Sequence, residues 1–147
     1  MSLSQGDALT THNFGIQIDG VMVEYLNSVG AFQYDQDVIE YQQVSAQGIP
    51  VTKKMPGVKK AGTVTVKRGA TQSAEFTQWI NESMAGQMET ARKNATVVFM
   101  DYQNNPVKRY HMRNAWCHNV GTNEVTAGQA GTLEETISIT YEELVIE

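Results

Sequence analysis

The chain has 147 residues, 41% of them hydrophobic and 18% charged, with a formal charge of −5 and a single cysteine. That length suits one domain, 1–147, able to bury roughly 68–70% of its unfolded surface, and no apolar run is long enough to span a bilayer as a helix. One thiol excludes an internal disulfide and multi-thiolate metal sites, and the negative balance argues against broad DNA binding, which rests on Lys and Arg neutralising phosphates.

The N-terminal Met1 to Asp7 has neither the basic start nor the apolar middle of a secretory signal, so export is expected to need another route. From Asn13 to Val29, Phe14, Ile16 and Ile18 alternate with polar residues ahead of Asp19-Gly20, which predicts two paired strands around a tight turn. Phe32 to Val44 reads as a long strand region with one wet face carrying Asp35 and Asp37. Val51 to Gly62 interrupts its lysines with Pro56, Gly57 and Gly62 and is expected to be an extended loop, a length that in compact domains marks an interaction segment.

Thr63 to Val66 alternates again and stops at Arg68-Gly69. A helix is predicted from about Thr71 or Ser73 to Met88, because Phe76, Trp79, Ile80 and Met84 form one apolar stripe and Gly86 weakens its end. Ala95 to Met100 is apolar on both faces, as in a strand covered on both sides. Val107 to Cys117 places Tyr110, Met112 and Trp116 on one side, Asn119 to Gly131 reads as a glycine-bearing loop, and Leu133 to Val145 has the clearest period-two pattern in the chain. The expected core is Phe14, Ile16, Val64, Val66, Phe76, Trp79, Ile80, Tyr110, Met112, Trp116, Ile137, Ile139 and Tyr141. Together these elements predict a mainly β fold, an antiparallel sandwich or barrel of six to eight strands with one flanking α-helix.

The charges are uneven. Six of the eleven basic residues fall between Lys53 and Arg68, while acids crowd 35 to 40 and 134 to 147, which suggests two unlike surfaces that meet between copies. Chemistry finds little support: Cys117 and His118 are neighbours on a strand and point to opposite faces, His12, His111 and His118 lack zinc-site spacing, and the carboxylates lie on exposed strand faces. The lysine run lacks the glycine spacing of a phosphate loop. No catalytic residue, metal or cofactor is expected.

Taken in order, Asn13 to Gly20, Val38 to Tyr41, Lys54-Met55-Pro56-Gly57 with Lys59, Lys67-Arg68-Gly69, Phe76 to Trp79, Arg113-Asn114-Ala115-Trp116 and Glu134 to Glu143 resemble the inner-tube proteins of contractile phage tails, R-type bacteriocins and extracellular contractile injection systems. The resemblance implies a structural subunit that joins its sheet to its neighbours in a hexameric ring, a continuous β-barrel, and stacks head to tail. It implies inter-ring contacts at Lys53, Lys54, Met55, Pro56, Gly57, Lys59 and Lys60, and a lumen faced by Asp35 and Asp37 or by Thr136, Ser138 and Thr140.

Implied partners are further copies of the chain, a sheath protein, a baseplate hub and spike, a terminator cap, a tape-measure protein, and effector cargo or phage DNA in the lumen, with no direct membrane insertion by this chain. Assembly would occur in the bacterial cytoplasm, ahead of release as part of a tail or injection particle. Competing readings are a type VI secretion tube protein and a β-barrel that binds a small ligand.

Overall fold

Alternation and turn chemistry set the first elements of the computed structural model, which describes residues 13–60, 62–69 and 73–147. Strands β1 (Asn13–Ile18) and β2 (Val21–Leu26) pair antiparallel across Asp19 and Gly20, whose φ angles of 52° and 85° supply the left-handed pair that a two-residue hairpin turn requires. Past Asn27 the chain continues as β3 (Ser28–Val29), followed by β4 (Gln36–Val44), β5 (Pro50–Lys59) and β6 (Gly62–Arg68). Helices α1 (Ala74–Met84) and α2 (Met88–Ala91) precede β7 (Lys93–Met100), β8 (Pro106–Thr122), β9 (Glu135–Tyr141) and β10 (Glu143–Ile146).

Eight strands form one antiparallel sheet in the order β2-β1-β7-β8-β9-β6-β3, with β10 also on β8. Because β3 continues β2 and pairs with β6, while the Asn27 amide donates to the Lys67 carbonyl at 2.8 Å, the sheet curls back on itself. Curling buries one face of each strand without a second sheet. Strand β8 makes this possible: its first half holds β7 on one side and β10 on the other, and its second half turns away to hold β9. Strands β4 and β5 stand apart as a two-stranded sheet of their own.

The interior is filled by Ile16, Ile18, Leu26, Val64, Val66, Ala95, Val97, Met112, Ala115, Cys117, Ile137, Ile139 and Tyr141, over which α1 lays Phe76, Trp79 and Ile80. Trp79 donates its indole N–H to the Ala91 carbonyl at 2.6 Å, which ties α1 to α2 across the bend at Gly86, a glycine with φ 79°. Thr96, Val98 and Met100 are buried on the opposite face of β7, the two-sided cover that its apolar run calls for.

Several expected positions differ. The helical stripe runs Phe76, Trp79, Ile80 and Ser83, not Met84, which is exposed; Ser83 bonds the Trp79 carbonyl and accepts from the Cys117 amide, so its hydroxyl is satisfied inside. Trp116 is not core. A bulge at Asn114, φ 51°, inserts one residue between Met112 and Ala115, so Ala115 and Cys117 turn inward and Trp116 turns to the other face, half-buried. Phe14 and Tyr110 are half-buried as well, because they lie where the core surfaces away from the helix. The loop expected from Asn119 begins instead after Thr122, and the final strand starts only at Glu135, after the exposed Leu133, and is broken at Glu142 into β9 and β10. His12 and Thr71 lie outside the described residues.

Arg68, at the end of β6, is 1% exposed. Its guanidinium lies 2.7 Å from Glu135 and 3.5 Å from Glu24, donates to the Ser73 carbonyl and the Thr77 hydroxyl, and sits 4.9 Å above the Phe76 ring. Glu24 in turn accepts from the Ser73 amide at 2.5 Å, the position that would cap α1. Three strands and the start of α1 are thus pinned by one cation.

Candidate functional site

The lysine-rich segment is a strand. Residues 50–59 pair with 36–44 in register, Ile39 opposite Met55, Glu40 opposite Lys54 and Tyr41 opposite Lys53, and the hairpin turns through Ser45 to Ile49 with Gly48 at φ 78°. Proline and glycine suggested a loop, but on a two-stranded ribbon both edges are free, so Pro56 removes no shared bond. Gly57 faces the Asp37 bulge so closely that a Cβ there would meet the Asp37 carbonyl at 3.0 Å.

Charge on the hairpin is partly settled within it. Lys54 lies 3.4 Å from Glu40 and Lys60 3.1 Å from Asp37, all four exposed, so each pair contributes little to stability. Lys53 and Lys59 have no carboxylate partner among the described residues. Alternation puts Ile39, Tyr41, Val51, Lys53 and Met55 on one face and Val38, Glu40, Gln42, Lys54 and Pro56 on the other. Ile39, Tyr41 and Met55 are 53%, 42% and 52% exposed, and on the other face Val38 and Val44 are 64% and 66% exposed, so the ribbon leaves apolar side chains in open water on both faces.

A second surface is the outer side of β6 and β9. Thr63 faces Thr140, Thr65 faces Ser138 and Lys67 faces Thr136; the Thr65 and Ser138 hydroxyls are 3.3 Å apart, and Thr140 donates to the Gly62 carbonyl. Thr136, Ser138 and Thr140 therefore share one hydroxyl-rich face. Asp37 sits on the hairpin and Asp35 at its root, so the five residues expected to line a lumen do not lie on one surface.

A third feature was not anticipated as a site. Gly30, Ala31, Phe32, Tyr34, Phe99, Tyr110, Leu144 and Ile146 line a groove of about 470 Å³ where the core reaches the surface. Phe32 stacks on Tyr110 at 4.6 Å, and Phe99 meets Tyr110 edge-on at 5.5 Å. Phe32 and Tyr34, two residues apart and so of one parity, are its one sequence signal, because the other walls come from strands far apart in the chain.

Burial pushes the Cys117 thiol up to about 12, keeping it protonated, and His118 is exposed beside Trp116. Among the described residues no cluster of His, Cys, Asp and Glu could hold a metal ion.

Comparison with known proteins agrees with this architecture. Residues 10–145 match the family model of the T4-like virus tail tube protein gp19. No curated protein matches significantly. Among solved structures, a chain of the sheath–tube complex of an extracellular contractile injection system, PVC, in its extended state aligns with TM-score 0.74 and 18% identity over 99% of both chains. A chain of the anti-feeding prophage tube-terminating cap aligns with TM-score 0.71 and 16% identity, covering 100% of this chain and 95% of that one. Hcp1 from Flavobacterium johnsoniae aligns at 0.54 and 18% identity, over 92% and 94%. The likenesses establish the fold, and the family match establishes that the chain belongs to the T4-like virus tail tube protein family.

Proposed function

We propose that this tail tube subunit, a single domain spanning 1–147, closes into hexameric rings that stack into the conduit of a contractile injection particle. Membership of a tube-forming family makes it a structural protein rather than an enzyme. The observation that carries assembly is the β4–β5 hairpin: a two-stranded ribbon outside the main sheet is marginal in water, and its exposed apolar side chains gain burial from a neighbour. Lys53, Lys54, Met55, Pro56, Gly57, Lys59 and Lys60 are assigned to the contact between rings. A head-to-tail contact of this kind propagates into a filament when it does not close.

The hydroxyl face of Thr136, Ser138 and Thr140 is assigned to the channel wall, with Asp35 and Asp37 at its rim. Related chains solved within a sheath–tube complex, a terminating cap and a baseplate support a sheath, a cap and a baseplate as partners here. A tape-measure protein and a cargo of effectors or DNA follow from a tube of defined length with an open lumen. Assembly in the cytoplasm ahead of release fits a tube that must be complete when its sheath contracts. The sheath would supply the work and the tube the rigid path.

A ligand-binding barrel is disfavoured because side chains fill the interior, with Ile16, Val66, Val97, Met112 and Ile139 all fully buried. The type VI reading also receives less support, since a type six secretion system protein aligns at TM-score 0.54 against 0.74 for the injection-system tube. The test is charge reversal of Lys53, Lys54, Lys59 and Lys60 together. The expected product keeps the circular dichroism of the parent and stays small on size exclusion, while the parent forms rings or tubes by negative-stain microscopy. Normal tubes from the reversed protein would refute the hairpin assignment.

A further inference from the structure

The direction in which the β4–β5 hairpin leaves the body is not set by packing. Strand β4 is exposed at every position and β5 at all but Val51 and Gly57, and neither belongs to the main sheet. Whatever aims the ribbon must act at its root. There the two legs meet, the Lys60 amide donating to the Asp35 carbonyl at 2.8 Å, so both share one attachment to the body.

The outgoing leg reaches that root through residues 30–35, a strap without regular structure. It is fixed to the body at three points. The Gly30 amide donates to the Thr65 carbonyl at 2.7 Å, the Phe32 ring stacks on Tyr110, and the Tyr141 hydroxyl donates to the Gln33 carbonyl. The last of these is nearest the hairpin.

Tyr141 lies buried at the end of β9, in register with Gly62 at the start of β6, and its ring meets those of Phe32 and Tyr34 on either side of Gln33. A Cβ at Gly62 would collide with both the Gln33 carbonyl and the Tyr141 hydroxyl, so the bare glycine is what lets the strap come down onto the phenol. Burial raises the Tyr141 pKa, which keeps the donated proton in place. Filling the core requires only the ring. The hydroxyl serves the strap, whose Gln33 is exposed.

We infer that Tyr141 is a positioning residue for assembly: its hydroxyl, seated against Gly62, clasps Gln33 and fixes the angle at which the hairpin is presented. The inference rests on the tube reading for its purpose and not for its geometry. A contact made through a ribbon needs that ribbon to point one way, because subunits with displaced hairpins bind only through the fraction that is correctly aimed.

Paired spin labels test it in the full-length chain at Gln42→Cys on the hairpin and Asn81→Cys on α1, both exposed, while the buried, protonated Cys117 stays unlabelled. In unassembled subunits the parent is expected to give one narrow distance between the labels. Tyr141→Phe keeps the ring and loses the donor, and should raise the ratio of displaced to clasped hairpins by about tenfold, the effect of one buried hydrogen bond. Gly62→Ala, which pushes the strap off and leaves the phenol, should displace the hairpin in the same way. Without labels, Tyr141→Phe should form tubes only above the parent's onset concentration, raised by at least the factor by which the clasped fraction falls. A distance distribution in Tyr141→Phe that matches the parent's overturns the clasp, even with a lowered urea midpoint, since a merely structural hydroxyl would change stability alone. A displaced hairpin with the parent's tube onset overturns the role in assembly. Parent subunits that never assemble, with distances that respond as expected, overturn the tube reading and leave the clasp standing.

Discussion

Arg68 shows how much one side chain can organise. A guanidinium at 1% exposure is tolerable only because Glu24, Glu135, Ser73 and Thr77 satisfy its donors and Phe76 covers it. Its removal strands Glu24 at 7% exposure without a counter-charge. Arg68→Met is expected to lower unfolding free energy by about 3–5 kcal/mol, read from urea denaturation of the unassembled subunit. Cys117 carries a second residue-scale expectation. Its thiol is pushed from 9.0 to about 12, mainly by burial, so the folded state resists ionisation that the unfolded chain accepts. That contribution is whole below about pH 9 and is lost as pH rises toward about 12. Cys117→Ala should therefore lose stability less steeply than the parent over that alkaline range, and equal slopes in paired urea titrations would contradict the burial argument.

Elements were legible where local pattern and environment agreed. The β9 alternation and the Phe76, Trp79, Ile80 stripe each face one core, so period alone located them, and the exposed Asp19-Gly20 turn was located by its residue types. Trp116 defeated parity because a single positive-φ residue, Asn114, shifts the register in a way no periodic reading detects. The β4–β5 hairpin was hidden for a different reason: exposed on both faces, it has no inside and outside for alternation to report, and Pro56 and Gly57 resemble loop punctuation. Its independence is testable. The Lys60 amide donates to the Asp35 carbonyl at 2.8 Å, so the hairpin's two ends already meet. Replacing Gln36–Lys59 by an Asn-Gly turn should change the unfolding free energy of the body by no more than about 0.5 kcal/mol, since no core packing is lost, while abolishing tubes in micrographs. A large destabilisation would mean that the ribbon belongs to the fold rather than to the assembly.

At the scale of the whole molecule, charge and hydroxyls are sorted to different surfaces. Lysines and acids sit on the hairpin, where copies are proposed to meet, and the β6–β9 face carries Thr63, Thr65, Thr136, Ser138 and Thr140 with Lys67 as its cation. That sorting has a physical rationale for a conduit. Short hydroxyl side chains that bond one another, as Thr65 and Ser138 do, leave Lys67 as the one long cation of the face to hold anionic cargo and present no apolar patch to hold a protein. If the face lines the lumen, its accessibility must change on assembly in a size-dependent way. Ser138→Cys in unassembled subunits is expected to react with both a small maleimide and one carrying a long polymer, the buried Cys117 contributing to neither. In tubes the small reagent should still enter along the axis, whereas the polymer should label only chains near the open ends. Equal polymer labelling before and after assembly would put this face on the tube exterior and transfer the channel wall to another surface of the sheet.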